Sequence, residues 1–507
     1  MKKFLTTVCV GAGLLAMASL VSAETFNVRI YGASAQKKFW TTAAPSFLSN
    51  VLDCNEFEEY GDVGGDDDFG GTRGIECNVD NVDEGNDGNL NDDEVFFHYA
   101  SKASFDGVLS VQNQWFDDGS TFECGTELGQ RQFGNNACFS GVTGTCALAC
   151  QDVTIGASDV SGAAFTQSSS GFDITDWRAT DDADFEGPIS RGFSGISALS
   201  TFENPIVVPF GFFANKSVTV ARCEAPLVTA DSTYPKWGNP CDPDAGNNSA
   251  DCIGYDACVD DVCQGTGPNA GGDCSEDGVF DCPDATLAQT SCVAKPISDI
   301  SRLQAVLIFS GQVNNWSAFG TGFPTLDIVR CMRHAGSGTH ATFDIQIFKG
   351  TGQAPASATD SSTNTWLHSS SSDLAKCIDI WDGAVGYLDA DKNIKSTKNN
   401  TVALKYQGYL PTRENIKGGN YNFWAAQFTY YSLPELQSGT TEYPAGTEEL
   451  VIGATADGDS YDGLLVWAGQ EANLTTANFG PRALYWATQD EMNVEKANSD
   501  RNFPSAN

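Results

Sequence analysis

Short apolar runs that end in glycine and serine turns recur along this chain and predict strands followed by helices. FNVRIYGASAQKKFW (residues 26–40) predicts a strand, a tight turn at residues 32–35 and a helix. FFHYASKASFDGV predicts a second such junction with Ser104 in its turn, and VTIGASDVSG places Asp159 directly after an apolar strand. Because the free N–H groups of a helix N-terminus attract anions, we expect these turns to be anion-binding corners. Asp159 alone would more often be a helix N-cap.

The segment MRHAGSGTHATFD (residues 332–344) carries the most specific chemistry. Gly336 and Gly338 allow the backbone to approach a ligand closely. Ser337 and Thr339 add hydroxyl donors at the start of a predicted helix, where the positive end of the helix dipole lies. The planar guanidinium of Arg333 matches an oxyanion. The segment therefore predicts an anion site, although a helix capped by serine or threonine is the commoner reason for such a string.

Other apolar patterns predict the elements around these turns. The spacing of Ile300, Leu303, Val306 and Leu307 favours a helix that begins near Ser298 or Ser301 as its cap. The run IVVPF is typical of a buried strand. The aromatic run YNFWAAQFTYY is expected to pack a helix rather than stack on a substrate.

Charge and cysteine content restrict the classes of partner and compartment. The net charge of −38 argues against nucleic acid and anionic lipid, because their phosphates require basic surfaces. A small anion remains compatible, since distant charges are screened within about 10 Å. The N-terminus, with Lys2, Lys3, an apolar run and Ala23 before Glu24, predicts a signal peptide over residues 1–23 without a lipid-anchor cysteine. We therefore expect a periplasmic or secreted protein, and no later segment is apolar enough to insert in a membrane.

Sixteen of the 17 cysteines lie beyond the signal peptide, an even number that predicts disulfides in an exported chain. We expect pairing within four clusters, with zinc as a minor alternative. The clusters are Cys54 and Cys77; Cys124, Cys138, Cys146 and Cys150; eight cysteines from Cys223 to Cys292; and Cys331 and Cys377.

Two polar insertions interrupt the predicted elements. Residues 223–292 lack aliphatic periodicity, which favours a disulfide-linked module, either a rigid surface excursion or a docking module. In the acidic stretch DNVDEGNDGNLNDDE, residues Asp83, Asp87, Gly88, Asn89 and Glu94 match calcium-loop positions, but Gly85 stands where a ligand is usual. A solvated acidic loop is the alternative, and the following VFFHYA predicts a strand.

Taken in order, these segments resemble the phosphate-binding protein of bacterial phosphate importers and its superfamily of type II periplasmic binding proteins. Further strings support the resemblance: IVVPFGFFANKSV as a hinge crossing, SRLQAVLIFSGQVNNW, GAVGYLDADKN and YLPTRENIKGGNYNFW. The resemblance implies a two-lobed α/β fold with disulfide-rich insertions. Its expected division is lobe 1 over residues 24–205, lobe 2 over 206–389 with the 223–292 insertion, and a return to lobe 1 over 390–507.

The resemblance also implies the site residues. Carried over by position, Ser104, Asp159, Arg333, Ser337, Gly338 and Thr339 would line an anion site, with Ser34, Ala35 and Gln36 in the first turn. Two positions depart from the family pattern. Gln36 and Lys37 replace Thr-Phe, so the first turn is expected to donate backbone N–H groups, and Ala335 replaces the aspartate that braces the arginine.

Asp159 predicts which anion the site prefers. Hydrogen phosphate can donate a hydrogen bond to a carboxylate, whereas sulfate has no proton to give and would be repelled. We therefore expect phosphate or a similar oxyanion as ligand.

The expected function is solute capture without catalysis. We expect a monomer that needs no cofactor or metal and that serves an ABC permease. His334 and His340 flank the anion loop and could touch the ligand, but the histidines form no catalytic array. The alternatives are a secreted structural protein that binds a partner through its cysteine-rich insertion and, less favoured, a phosphatase-like enzyme.

Overall fold

A computed structural model gives the fold of the protein. It describes residues 25–54, 57–63, 72–79, 93–101, 103–114, 124–125, 127–139, 146–162, 200–223, 257–259, 262–264, 292–320, 322–334, 336–348, 350–356, 361–368, 370–395, 400–453, 462–495 and 505–506. The predicted signal peptide lies outside these residues, as do Ala335, most of the proposed calcium loop and most of the 223–292 insertion.

The described residues form strands and short helices that alternate along much of the chain. The strands are β1 Thr25–Gly32, β2 Phe57–Val63, β3 Thr72–Val79, β4 Asp93–Ser101, β5 Gln130–Gly134, β6 Leu148–Asp152, β7 Ile155–Ser158, β8 Ser200–Asn215, β9 Thr219–Cys223, β10 Ala257–Val259, β11 Val262–Gln264, β12 Cys292–Pro296, β13 Asp299–Ile300, β14 Val329–Arg333, β15 Thr365–His368, β16 Ala384–Asp389, β17 Thr401–Tyr406, β18 Trp424–Tyr431, β19 Val494–Glu495 and β20 Ser505–Ala506. The α-helices are α1 Lys37–Asn50, α2 Ser104–Ser110, α3 Arg302–Phe309, α4 Gly338–Phe343, α5 Ser371–Ile380, α6 Arg413–Lys417, α7 Leu433–Leu436, α8 Thr447–Ile452, α9 Leu464–Gly469 and α10 Thr476–Phe479.

Local sequence explains where several of these elements begin. Ser301 caps α3 in a capping box with Gln304, which confirms the predicted helix and one of its two predicted caps. The predicted junctions at β1–α1, β4–α2 and β14–α4 are also present, and IVVPF lies in β8. The aromatic run forms strand β18, so the prediction that it packs a helix is wrong. Its Phe, Thr and Tyr residues favour a strand, and β18 pairs on both sides.

One long sheet holds two groups of parallel strands that two antiparallel strands connect. Its order is β15-β14-β16-β8-β18-β7-β1-β4-β3-β2, with β17 paired to β8 and β13. The first group is β7, β1 and β4, in which the neighbours are parallel. The second group is β15, β14 and β16, again parallel. Strands β8 and β18 run antiparallel between the groups.

Helices cover the apolar surfaces of this sheet and place the functional turns at its edges. Phe39, Trp40 and Phe47 of α1 are fully or almost fully buried against the sheet, in a cluster with Phe97 and Phe479. Since burial of each such side chain contributes roughly 1.5–3 kcal/mol, α1 holds the turn before it firmly in place. Among the described helices, none is long and apolar enough to cross a membrane.

Among the described residues, four disulfides join cysteines within the predicted clusters. They are Cys54–Cys77, Cys124–Cys150, Cys138–Cys146 and Cys331–Cys377. In the insertion, Cys223 lies opposite Cys292 in the β9–β12 pair. The predicted α/β fold with disulfide-linked segments is therefore confirmed, while the lobe boundaries at residues 205 and 389 stay a prediction.

Candidate functional site

The carboxyl ends of the two parallel groups bring the candidate residues together. In the first group, β1, β4 and β7 are followed by the turns that hold Ser34, Ser104 and Asp159. In the second group, β14 ends at Arg333. Ligands of open α/β sheets bind at such carboxyl ends, where the strand order changes direction. Contacts join the groups, since Arg333 Nη1 donates to Ser34 Oγ at 3.3 Å and Phe105 N donates to the Gly336 carbonyl at 3.1 Å.

Hydroxyl and carbonyl oxygens hold the buried guanidinium of Arg333 in position. Its Nη1 also donates to Ser371 Oγ at 2.9 Å, and its Nε donates to the His368 carbonyl at 3.3 Å. The side chain is 1% exposed. Burial lowers the pKa of Arg333, while Asp389 and Asp159 act to raise it. Ser371 and the His368 carbonyl therefore orient the Arg333 guanidinium. In the family pattern this role belongs to an aspartate, at the position where this chain has Ala335.

The start of α4 contacts the opposite turn directly. Ser337 caps the helix through a bond from His340 N, as the sequence alternative anticipated, and Gly336 has the positive φ of 80° that favours glycine. A Cβ on Gly338 would lie 2.3 Å from Ser104 Oγ and 2.8 Å from Asp159 Cβ. Only glycine permits this approach. Thr339 is buried, and its Oγ1 has no hydrogen-bond partner among the described residues.

Asp159 is the centre of a buried polar network. Its Oδ2 accepts from Ser104 Oγ at 3.2 Å, and its Oδ1 accepts from Gln36 Nε2 at 3.3 Å. The backbone N–H of Asp159 donates to Ser104 Oγ at 3.2 Å. Burial, and after it the negative charge of Asp389, raises the pKa of Asp159 to about 7. The hydrogen bonds from Ser104 and Gln36 and the positive charge of Arg333 oppose this rise. A carboxyl with this pKa changes its charge near neutral pH.

The first turn uses its donors differently from the sequence expectation. Gln36 N donates to the Ala33 carbonyl at 3.1 Å, within the 3-10 turn Ser34–Gln36. The Gln36 side chain binds Asp159 and accepts from Trp40 Nε1 at 3.1 Å. Ser34 contributes its hydroxyl to Arg333, and Ala35 is buried beside it in the turn. Gln36 therefore reaches the site through its side chain, while its backbone N–H completes the turn.

Asp389 is a second buried carboxylate at this edge, and the sequence did not single it out. It is the last residue of β16 and 2% exposed, and its Oδ1 has no hydrogen-bond partner among the described residues. Lys392 Nζ lies 3.9 Å from its other oxygen. Burial raises the pKa of Asp389, and Lys392 opposes the rise. Its position at the end of the GAVGYLD strand was a signal, because polar residues that follow buried parallel strands meet at one edge.

The histidines near the site make structural contacts. His340 Nδ1 lies 2.6 Å from Tyr387 Oη, and the His368 carbonyl accepts from Arg333. The ligand atoms of Cys331, His368 and Cys377 all lie within 4.8 Å of one another, an arrangement that a metal could occupy. Because Cys331 and Cys377 form a disulfide, they offer no thiolates to a metal.

Comparisons by sequence find similar proteins for part of this chain. Residues 279–447 match the model of a PBP superfamily domain. The phosphate-binding protein PstS of Bacillus subtilis (strain 168) is 32% identical over 134 residues, which are 26% of this chain. The match spans 40% of the length of that relative.

Solved structures give weaker similarity over more of the chain. A putative phosphate ABC transporter substrate-binding protein with bound phosphate from Clostridium perfringens has a TM-score of 0.37 and 12% identity, covering 83% of this chain and 91% of its own. A phosphate-binding protein from Stenotrophomonas maltophilia has a TM-score of 0.34 and 14% identity, covering 88% of each chain. The resemblance that the sequence motifs indicate is confirmed for residues 279–447, which match a PBP superfamily domain.

Proposed function

We propose that the protein is an exported solute-binding protein that captures phosphate, or a similar inorganic oxyanion, between its two strand groups. One observation carries the proposal. Arg333, Ser104 and Asp159 come from distant parts of the sequence, yet they meet at one buried edge of the sheet with the start of α4. The B. subtilis relative is a phosphate-binding protein, which supports the same ligand.

The chemistry of the site supports an oxyanion that carries a proton. Arg333 and the hydroxyls of Ser104 and Thr339 are donors that suit the unprotonated oxygens of phosphate. Asp159 is an acceptor, which a protonated phosphate oxygen satisfies and sulfate does not. A site built from buried, charge-assisted donors is expected to bind phosphate with micromolar or tighter affinity.

Solute capture in the periplasm, with delivery to an ABC permease, is the role that we propose for this binding. Binding requires no covalent step, and we propose no catalytic activity. The predicted signal peptide supports export, and a monomer with one site between the strand groups is sufficient for capture.

Isothermal titration of the mature protein with phosphate, sulfate and molybdate tests the proposal. We expect heat with phosphate at micromolar concentration and much weaker binding of sulfate. Absence of heat with every oxyanion up to millimolar concentration contradicts solute capture and favours a scaffold role for the fold.

A further inference from the structure

Gln427 is a buried glutamine in the middle of β18. Its side chain is 0% exposed, and neither Nε2 nor Oε1 has a hydrogen-bond partner among the described residues. A buried amide without a partner costs roughly 1–3 kcal/mol for each unsatisfied group. Such a group in a folded protein calls for an explanation, and a functional role is one of the recognised ones.

The strand register places Gln427 beside Asp159. Strand β18 pairs antiparallel with β7, and the last pair is Phe428 with Ser158. Continuing this register by one residue sets Gln427 opposite Asp159, where β7 ends and the chain turns into the anion site. Residues directly opposite each other in an antiparallel pair project on the same face of the sheet. Continued past the end of β7, this rule predicts that the amide of Gln427 and the carboxylate of Asp159 project from the same face.

The pairing of β18 with β8 is irregular beside this residue. Ala426 pairs with Val207 and Phe428 pairs with Glu203, so the extra residues lie in β8, and the register gives Gln427 no partner on that strand. Irregularities of this kind are over-represented next to functional sites.

Two other residues at the site, Thr339 and Asp389, also have a buried polar atom without a hydrogen-bond partner among the described residues. The atoms are Thr339 Oγ1 and Asp389 Oδ1. Thr339 lies in the first turn of α4 and Asp389 at the end of β16. Three separate elements therefore present one unsatisfied hydroxyl, one carboxylate oxygen and one amide at the same edge.

We infer that Gln427 is a further ligand-contacting residue of the oxyanion site. Its Nε2 donates to an unprotonated ligand oxygen, and its Oε1 accepts from a protonated one, so both ends are satisfied by a tetrahedral oxyanion that carries a hydroxyl. The inference rests on the proposed function, because it assigns Gln427 to the same site. It makes the crossing strand β18 part of ligand recognition.

The Gln427→Met variant tests the inference, because methionine has nearly the same shape and no amide. We expect its unfolding free energy without ligand to equal or exceed that of the wild type, since no protein hydrogen bond is lost. We expect its phosphate affinity to fall about tenfold in isothermal titration. A less stable variant with unchanged phosphate affinity would show that Gln427 is structural, and would overturn the inference.

Asn215→Leu is the matched control. Asn215 is also a buried amide, but its Nδ2 donates to the Ile378 carbonyl at 2.8 Å and its Oδ1 accepts from Ser217 N at 2.9 Å. This variant should lose stability and keep phosphate affinity, which is the opposite pattern to Gln427→Met. If Gln427→Met does not fold, Gln427→Glu keeps the size and adds a charge beside Asp159, and it should weaken phosphate binding more than tenfold.

The outcomes separate this inference from the proposed function. If the wild type gives no heat with phosphate, the proposed function fails and the inference fails with it. If the wild type binds phosphate and either Gln427 variant binds it equally well, only the role of Gln427 is overturned.

Discussion

Two buried arginines, Arg131 and Arg333, differ in the groups that contact their positively charged guanidiniums. Arg131 forms a bidentate contact with Asp106, with Nη2 at 2.7 Å and Nε at 3.2 Å from Oδ1, and it donates to three backbone carbonyls. Arg333 donates to the hydroxyls of Ser34 and Ser371 and to the His368 carbonyl. Burial lowers the pKa of both guanidiniums, but Asp106 outweighs it for Arg131, whose pKa is raised, whereas the pKa of Arg333 remains lowered.

The difference distinguishes an arginine that stabilises the fold from one that is ready for an anion. The carboxylate of Asp106 neutralises Arg131 within the protein, so a second anion would add little. The hydroxyls of Ser34 and Ser371 orient the Arg333 guanidinium and, being neutral, do not cancel its charge. An oriented guanidinium is what an oxyanion site requires.

Replacing Arg131 should have the largest effect, and it should act on stability. In Arg131→Met, Asp106 is left buried without its cation, which costs about 3–5 kcal/mol of unfolding free energy. Chemical denaturation measures this loss, and phosphate titration of the folded variant should give wild-type affinity. A loss of phosphate affinity in this variant would erase the proposed contrast between the two arginines.

Replacing Arg333 should act mainly on binding. Arg333→Ala removes charge-assisted donors from the site, so we expect phosphate affinity to fall at least tenfold, about 1.4 kcal/mol. Its unfolding free energy should change by less than that of Arg131→Met, because Arg333 leaves neutral hydroxyls behind, whereas Arg131 leaves the buried carboxylate of Asp106. Equal destabilisation of the two variants would count against the assignment of Arg333 to a binding site.

Replacing Asp159 tests whether the site detects the proton of the ligand. In Asp159→Asn the negative charge is lost and a donor is gained, so sulfate affinity should rise about tenfold while phosphate affinity falls modestly. Competition between the two anions measures the ratio. An unchanged phosphate-to-sulfate ratio would show that Asp159 is a structural residue outside the site.

The smallest expected effect is a pH dependence of the ratio of phosphate affinity to sulfate affinity. Because the pKa of Asp159 is raised to about 7, its carboxyl is ionised above that pH and neutral below it. The ionised form repels sulfate and the neutral form can donate to it, so preference for phosphate should narrow several-fold between about pH 8 and pH 6. The Asp159→Asn variant reports the titration of the ligands alone. If the phosphate-to-sulfate affinity ratio of the wild type equals that of Asp159→Asn at every pH, the titration of Asp159 does not cause the pH dependence.

The sequence predicts the elements of the site better than the relations between them. Ser104 and Asp159 are predicted because each follows an apolar run, and Arg333 because it precedes a segment rich in glycine and hydroxyl residues; both patterns are visible in a short window. The strand–turn–helix junctions and the pairing of cysteines within clusters were also visible locally, and the structure confirms them. Each of these predictions depends on residues that are close in sequence or of unmistakable chemistry.

Residues whose importance depends on strand order were missed. Asp389 and Gln427 are acidic and amide side chains in apolar strands, and only the pairing of β16 and β18 with distant strands brings them to the site. The aromatic run around Gln427 is predicted from sequence to pack a helix, but it forms strand β18. In a strand, successive side chains point to opposite faces of the sheet, and the helix prediction does not place Gln427 on either face. Ser371 was missed because its contact with Arg333 spans a helix start and a strand end.

The disulfide Cys331–Cys377 joins the two elements that hold Arg333 and its hydroxyl partner. Cys331 lies two residues before Arg333 in β14, and Cys377 lies in the helix that begins with Ser371. Cross-linking residues 46 positions apart removes unfolded-chain entropy worth about 4 kcal/mol in the loop-closure model. It also means that the guanidinium and its support are preorganised before any ligand arrives. Less ordering is then left for the ligand to impose, so more of its interaction energy appears as affinity.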